Sequence, residues 1–266
     1  MAISIQDKGI QSLLGQSRQV QGNLTEAFRK LASGQSVSQG KDQAALLAVA
    51  TTLTSQVRAI NQATLNANDG VSLAQVAMGS LQEVQGNMER LRELAVQASS
   101  GGLNDTDRAA LAEEARQLQT QIGTALAETR FNEIDLLSSN DSLTLQTGPN
   151  AGNQTPFALD DLASNLSAVD LSTRSGAESA LGILDDNMAR VSASQSRFGA
   201  LEAELGSSIN SLAHQGLSTQ EARSGIMDAD MASETARKVS LAIRQQAHVA
   251  MLSQANLLSQ QVLSLL

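Results

Sequence analysis

The chain contains no cysteine, no tryptophan and no tyrosine, and only four phenylalanines in 266 residues. The lack of cysteine excludes a disulfide framework and any thiolate-ligated metal. With so few rings, a core must be built from Leu, Ala, Val and Met, which suits helix against helix and argues against a β-sandwich or barrel. Basic charge is short too. Eighteen Lys and Arg against 27 Asp and Glu leave a formal net charge of -9, so neither nucleic acid nor an anionic membrane is an expected partner. No run of about 18 apolar residues occurs, which argues against membrane insertion. The opening mixes Ile3, Ile5, Ile10, Leu13 and Leu14 with Gln6, Asp7 and Lys8, unlike the basic-then-apolar order of a cleaved secretory signal. Proline occurs only as Pro149 and Pro156, so helix-breaking is confined to one neighbourhood.

What the chain has instead is helical periodicity. Between Ala44 and Ala98 a seam of Leu53, Val57, Ile60, Thr64, Ala67, Val71, Ala74, Met78, Leu81, Val84, Met88, Leu91, Leu94 and Ala98 recurs in steps of three and four, as on a coiled-coil face. A continuous helix of this span would be about 80 Å long, more than a compact globule of this size can hold. Asn66, Asn68, Asp69 and Gly70 look like a turn. The seam keeps its phase through them, however, so one long helix is expected.

The flanking segments read in the same way. Ile10 to Leu31 forms a first amphipathic helix ending near Ser33-Gly34, followed by a polar connector over 35–42. Ser99 to Gly102 reverses the chain into a helix capped by Asp105 or Thr106, with Leu111, Ala115, Leu118, Ile122 and Leu126 on its face. Period-two alternation at Leu143, Leu145 and Thr147, beside both prolines, predicts a small hairpin. Residues 160–174 can carry only short structure. A long helix resumes through Leu181, Leu184, Met188, Val191, Phe198, Leu201, Leu205, Ile209 and Leu212, and its pattern loosens over Gly216 to Gly225. The last segment, Ile226 to Leu266, has no formal charge from Gln245 onward. A solvated helix would normally carry charge, so this end is expected to be covered, yet its many Gln and Ser make it too polar for lipid.

The expected fold is therefore mainly α: an elongated rod of long antiparallel helices in a coiled-coil bundle, with a small β-hairpin region and terminal helices that pair in a polymer. Each end offers an amphipathic segment that the central bundle does not need, and pairing the two with each other and with further copies buries both.

The motifs Asn61-Gln62-Ala63, Asn66-Ala67-Asn68-Asp69-Gly70, Ser72-Leu73-Ala74-Gln75 and Arg90 to Gln97 resemble, in order and spacing, the N-terminal signature of the bacterial flagellins. Asp228-Ala229-Asp230, Gln245-Gln246-Ala247, Met251-Leu252, Gln254-Ala255-Asn256 and the close at Val262 to Leu266 resemble the C-terminal one. The opening Ile3 to Asp7, the connector Gln35 to Ser38, Met231 and Ser259 depart from the family's usual residues. The resemblance implies a short flagellin with only the two inner domains: residues 1–42 and 226–266 as the two parts of an inner-tube (D0) domain, and 43–225 as a helical-bundle (D1) domain holding the hairpin region 140–175. It implies an extracellular subunit of the flagellar filament, exported without a cleaved signal, that polymerises with itself and meets an export chaperone and cap or junction proteins. The polymerisation surface would include Leu24, Phe28, Leu31, Leu252, Leu257, Val262, Leu263, Leu265 and Leu266. Matching residue by residue also carries over a Toll-like receptor 5 surface at Arg90, Leu94 and Glu114.

Three other readings compete. A hook-filament junction protein is similar at its termini. An amphipathic lipid-binding protein would need Lys and Arg flanking the apolar stripe, and residues 245–266 have none. A di-metal enzyme in a bundle would need Glu-x-x-His pairs, but Ser211 and Gln245 stand three residues before the only histidines, His214 and His248. Glu113-Glu114 and Asp185-Asp186 read as solvated helix faces, so no catalytic residue, metal or cofactor is expected.

Overall fold

A computed structural model describes residues 2–37 and 40–264, with side chains described at 9, 11–37 and 44–257. Among the described residues, six helices and four short strands follow in the order α1 (Ala2–Ser33), α2 (Gly40–Ala98), α3 (Asp105–Glu128), β1 (Arg130–Phe131), β2 (Ile134–Asp135), β3 (Ser142–Gln146), β4 (Gln154–Ala158), α4 (Leu162–Asn165), α5 (Arg174–Met227) and α6 (Met231–Ser264). The chain falls into two compact units, residues 57–217 and the combined ends 1–56 with 218–266.

In the unit 57–217, α2, α3 and α5 bury their apolar faces against one another. Of the expected seam, Ile60, Ala67, Ala74, Leu81, Val84, Met88, Leu91, Leu94 and Ala98 are buried, joined by Ala63, Leu73, Ala77 and Ala95 on a second stripe. The second stripe exists because α2 meets two helices, and a face serving two neighbours is wider than a single coiled-coil seam. Ala115, Ile122 and Leu126 of α3 and Leu184, Val191, Phe198, Leu201 and Leu205 of α5 complete the core.

α2 runs unbroken through Asn66 to Gly70, and the geometry supplies the reason for those residues. Asn66 Nδ2 donates to the Gln146 carbonyl of β3 at 3.1 Å. A Cβ on Gly70 would lie 2.7 Å from Leu145 Cδ1 and 2.8 Å from Leu205 Cδ1. The turn-like cluster is thus a notch in a helix, where the missing side chain admits a leucine of the hairpin and one of α5. The hairpin pairs Leu143 with Phe157 and Leu145 with Thr155. It is seated further by the Phe157 ring 4.9 Å from that of Phe198. Pro156 lies within β4, opposite Thr144, rather than in the loop, which is tolerated because each strand has only one neighbour.

Two expectations are corrected. The cap of α3 is Asn104, whose Oδ1 accepts from the Asp107 backbone N–H at 2.8 Å, rather than Asp105 or Thr106. The chain leaves the reversal one residue earlier, so those two occupy the first turn. Nor does the last segment start at Ile226: the pattern loosens over Gly216 to Gly225, but α5 continues to Met227 and α6 begins at Met231. A Cβ at Gly216 would stand 3.3 Å from Ile60 Cγ2, so the glycine marks a close approach within a helix whose neighbours Gln220, Glu221, Ala222 and Arg223 favour helix. Sequence reading also missed Arg108, which is 6% exposed. It caps the end of α2 by donating from Nη1 to the Ala98 carbonyl and from Nη2 to that of Leu103, the latter at 3.2 Å.

The notch makes an opposed pair of predictions. At the exposed Gly86, where a Cβ meets nothing within 4 Å, Gly86→Ala should stabilise by about 1 kcal/mol through helix propensity. Gly70→Ala should destabilise despite the same propensity gain, because overpacking at a buried contact costs about 1–3 kcal/mol. Urea unfolding measures both, and equal gains would contradict the notch.

Candidate functional site

Two surfaces carry the residues singled out from the sequence. The first is the unit made by the chain ends, where α1 and α6 pack side by side. α1 stops at Gly34, whose φ of 69° is left-handed and whose N–H reaches Lys30 O at 2.8 Å, a glycine-type C-terminal cap. α6 is capped by Asp230, whose Oδ1 accepts from the N–H groups of Ala232 and Ser233 at 3.0 and 3.1 Å. Between these ends the two connectors pair: Gln35 bridges Asp228, Ser36 N–H donates to Met227 O at 2.7 Å, and Ala229 N–H to Gly34 O at 2.9 Å. Lys238 Nζ lies 4.2 Å from the centre of the Phe28 ring, a cation-π contact that ties the two helices.

Within this unit Ala27 and Leu241 are buried, and Leu24, Leu31 and Leu252 are half-buried. A run of large apolar side chains is not covered. Phe28 is 56% exposed, Ile243 60%, Val249 58% and Leu257 56%, and Met231, Val239 and Met251 are exposed with them. The side chains of Val262 and Leu263, and residues Leu265 and Leu266 altogether, lie outside the described residues.

The second surface is on α2 and α3. Arg90 donates from Nη2 to Glu114 Oε1 at 2.9 Å and from Nη1 to Glu93 Oε2 at 2.8 Å. Hydrogen bonds to Glu114 first, then Glu93, hold the Arg90 guanidinium above its ordinary pKa. Leu94, expected beside them, is 1% exposed and belongs to the core; four residues along, it shares the helix side but points into the bundle. Sequence reading missed the neighbouring pair in which Arg92 Nε donates to Asp185 Oδ1 at 2.8 Å, because nothing local joins residues 93 positions apart. That bond likewise raises the Arg92 pKa. Glu113 pairs with Arg116 at 2.6 Å. Among the described residues no cluster of three or more His, Asp or Glu is placed to hold a metal ion, and no helix is long and apolar enough to cross a membrane.

Comparison with known proteins decides the family. Residues 10–142 match the bacterial flagellin N-terminal helical region, and residues 181–266 the bacterial flagellin C-terminal helical region. The chain belongs to the bacterial flagellin family. It is 37% identical over 247 residues to the flagellin of Halalkalibacterium halodurans, covering 91% of each chain. It is 32% identical over 267 residues to the flagellar filament 31.3 kDa core protein of Treponema maltophilum, covering 92% of this chain and 93% of that one. In fold it is similar to the crystal structure of Bacillus cereus flagellin, with a TM-score of 0.52 and 24% identity over 56% of this chain and 88% of that one. It is also similar to a putative flagellar hook-associated protein from Vibrio parahaemolyticus, with a TM-score of 0.60 and 13% identity over 70% of this chain and all of that one. Those two likenesses speak to fold alone. This flagellin is a structural subunit of the flagellar filament, a component of the extracellular flagellum.

The electrostatics of the flagellin's unit 57–217 set its pH response. Hydrogen bonds from Ser164 hold the Asp161 carboxyl below its ordinary pKa, and those from Ser172 do the same for Asp170. A depressed carboxylate stabilises the fold above its unfolded pKa and loses that contribution as pH falls through the folded one. The raised arginines contribute everywhere below about pH 12. Residues 57–217 contain no Lys, Tyr or Cys, so no further group there titrates between about pH 8 and 11. Amide protection factors at residues 161–172 should therefore fall below about pH 4, ahead of those in α2. Protection there that is unchanged in acid would contradict the assignment.

Proposed function

We propose that the paired ends of this flagellin form the inner-tube part of the filament and assemble through the uncovered apolar face of α1 and α6, while residues 43–225 form the surrounding bundle. The observation that carries this reading is that face: Phe28, Ile243, Val249 and Leu257 all stand more than half exposed, and residues 245–266, which include Val249 and Leu257, hold no formal charge. Large apolar side chains left exposed together on one pair of helices mark an interaction site. Contact between unlike faces of identical copies, if the rotation does not close, generates a helical filament. Leu24, Leu31 and Leu252 belong to the proposed surface, and Val262, Leu263, Leu265 and Leu266 are assigned to it from the sequence alone. An export chaperone, cap and junction proteins, and export without a cleaved signal belong to the same reading, since a chain with this face needs cover before it assembles. The hook-filament junction reading rests on a likeness of fold alone.

Truncation tests the assembly. Full-length protein incubated with ammonium sulfate should give filaments by negative-stain microscopy, and protein lacking Gln245 to Leu266 should give none while keeping its helical circular dichroism. Normal filaments from the truncated chain would contradict the reading.

The proposed receptor surface rests on resemblance together with the Arg90–Glu114 ion pair, half-exposed on both sides. Arg90 and Glu114 are its contact residues, and Leu94 supports them from the core. Monomer should activate Toll-like receptor 5 more than intact filament does, and Arg90→Ala with Glu114→Ala should lower activation at least tenfold, as loss of a central interfacial Arg does. Wild-type activation by that double variant would remove the assignment and leave assembly unaffected.

A further inference from the structure

Residues 166–169, between α4 and α5, form no strand, yet their backbone is paired. Asn187 Oδ1 accepts from the Ser167 N–H at 3.1 Å, and its Nδ2 donates to the Ser167 carbonyl at 2.8 Å. Two residues on, Gln119 Oε1 accepts from the Val169 N–H at 3.2 Å, and its Nε2 donates to the Val169 carbonyl at 2.9 Å. Two side-chain amides, one from α5 and one from α3, thus stand in for two residues of a neighbouring strand. They fasten residues 166–169 as a strap.

Beneath the strap lies a cavity of about 130 Å³. Its walls include Met88 and Leu91 of α2, Ile122 and Leu126 of α3, and Leu184 of α5, all of them buried. Gly123 is at its margin, and a Cβ there would meet nothing within 4 Å. The amides of Asn187 and Gln119, together with Ser167, form its polar side, and each amide gives one donor and one acceptor to the strap backbone. Apolar cavities of about 150 Å³ stay dry and accept benzene.

We propose that this cavity is a binding site for a small, neutral, apolar ring compound of benzene or toluene size, held under the strap 166–169. Apolar walls from three helices select against charge, and the volume of about 130 Å³ limits the ligand to about one ring. The site lies wholly within residues 57–217, so it stands or falls separately from the assembly surface. Occupancy stabilises the folded state by mass action: at a free concentration ten times the dissociation constant, the folded-to-unfolded ratio rises about elevenfold.

The test is a titration of the full-length monomer, labelled at its methionine methyl carbons, with benzene as the probe. The Met88 methyl resonance should shift saturably, with a dissociation constant on the order of 1 mM for a ligand of six heavy atoms. The methyls of Met78, Met231 and Met251, which do not line the cavity, should stay in place. Leu126→Phe, which adds volume from the floor, and Gly123→Leu, which adds a side chain at the margin, should each abolish the Met88 shift while the circular dichroism remains helical. Gly123→Leu acts at an exposed helix position and decides the matter if Leu126→Phe does not fold. An unsaturable shift common to all methyls, no Met88 shift, or the wild-type response in folded Gly123→Leu would overturn the proposal.

Discussion

Burial of the α2 apolar face within residues 57–217 is the constraint on which that unit depends. With so few aromatic rings, the chain has few bulky side chains with which to nucleate a globular core. It obtains burial from length instead, repeating Ala, Leu, Val and Met along a helix of 59 residues. Small residues such as Ala67, Ala74, Ala77 and Ala95, all buried, allow close approach, and each apolar side chain removed from water contributes up to about 1.5–3 kcal/mol. The hairpin depends on the same face, because Leu145 enters the notch that Gly70 leaves in it.

Most of this architecture was legible because period and phase are properties of sequence alone. The long helix could be followed through Asn66 to Gly70 because its seam did not change phase, and the hairpin stood out by its period of two and its prolines. What was not legible depended on partners distant in the chain. The Asn104 cap was hidden because Asp105 and Thr106 are equally good cap residues and only backbone direction separates them. Arg108 looked like an ordinary surface charge, since its partners are carbonyl oxygens at the end of another helix. Leu94 was counted both as seam and as surface. A four-residue spacing places two residues on one side of a helix without saying which reaches solvent.

The candidate surfaces show the same division. Absence of charge from Gln245 onward pointed to a covered segment, and Val249, Met251 and Leu257 are nonetheless exposed in the single chain. That mismatch between composition and exposure is what the proposed assembly surface accounts for. The Arg90–Glu114 pair could be anticipated from antiparallel packing of α2 and α3, whereas the Arg92–Asp185 pair and the two amides of the strap required the coordinates.

The central claim is that copies of this flagellin cover the apolar face of α1 and α6. Hydrogen-deuterium exchange on monomer and filament, read by mass spectrometry, tests it most directly. Peptides from α1 and α6 should exchange much faster than those of α2 in the monomer and should become protected in the filament, with residues 57–217 changing little in their interior. Equal protection of α1 and α6 in both states would contradict the claim.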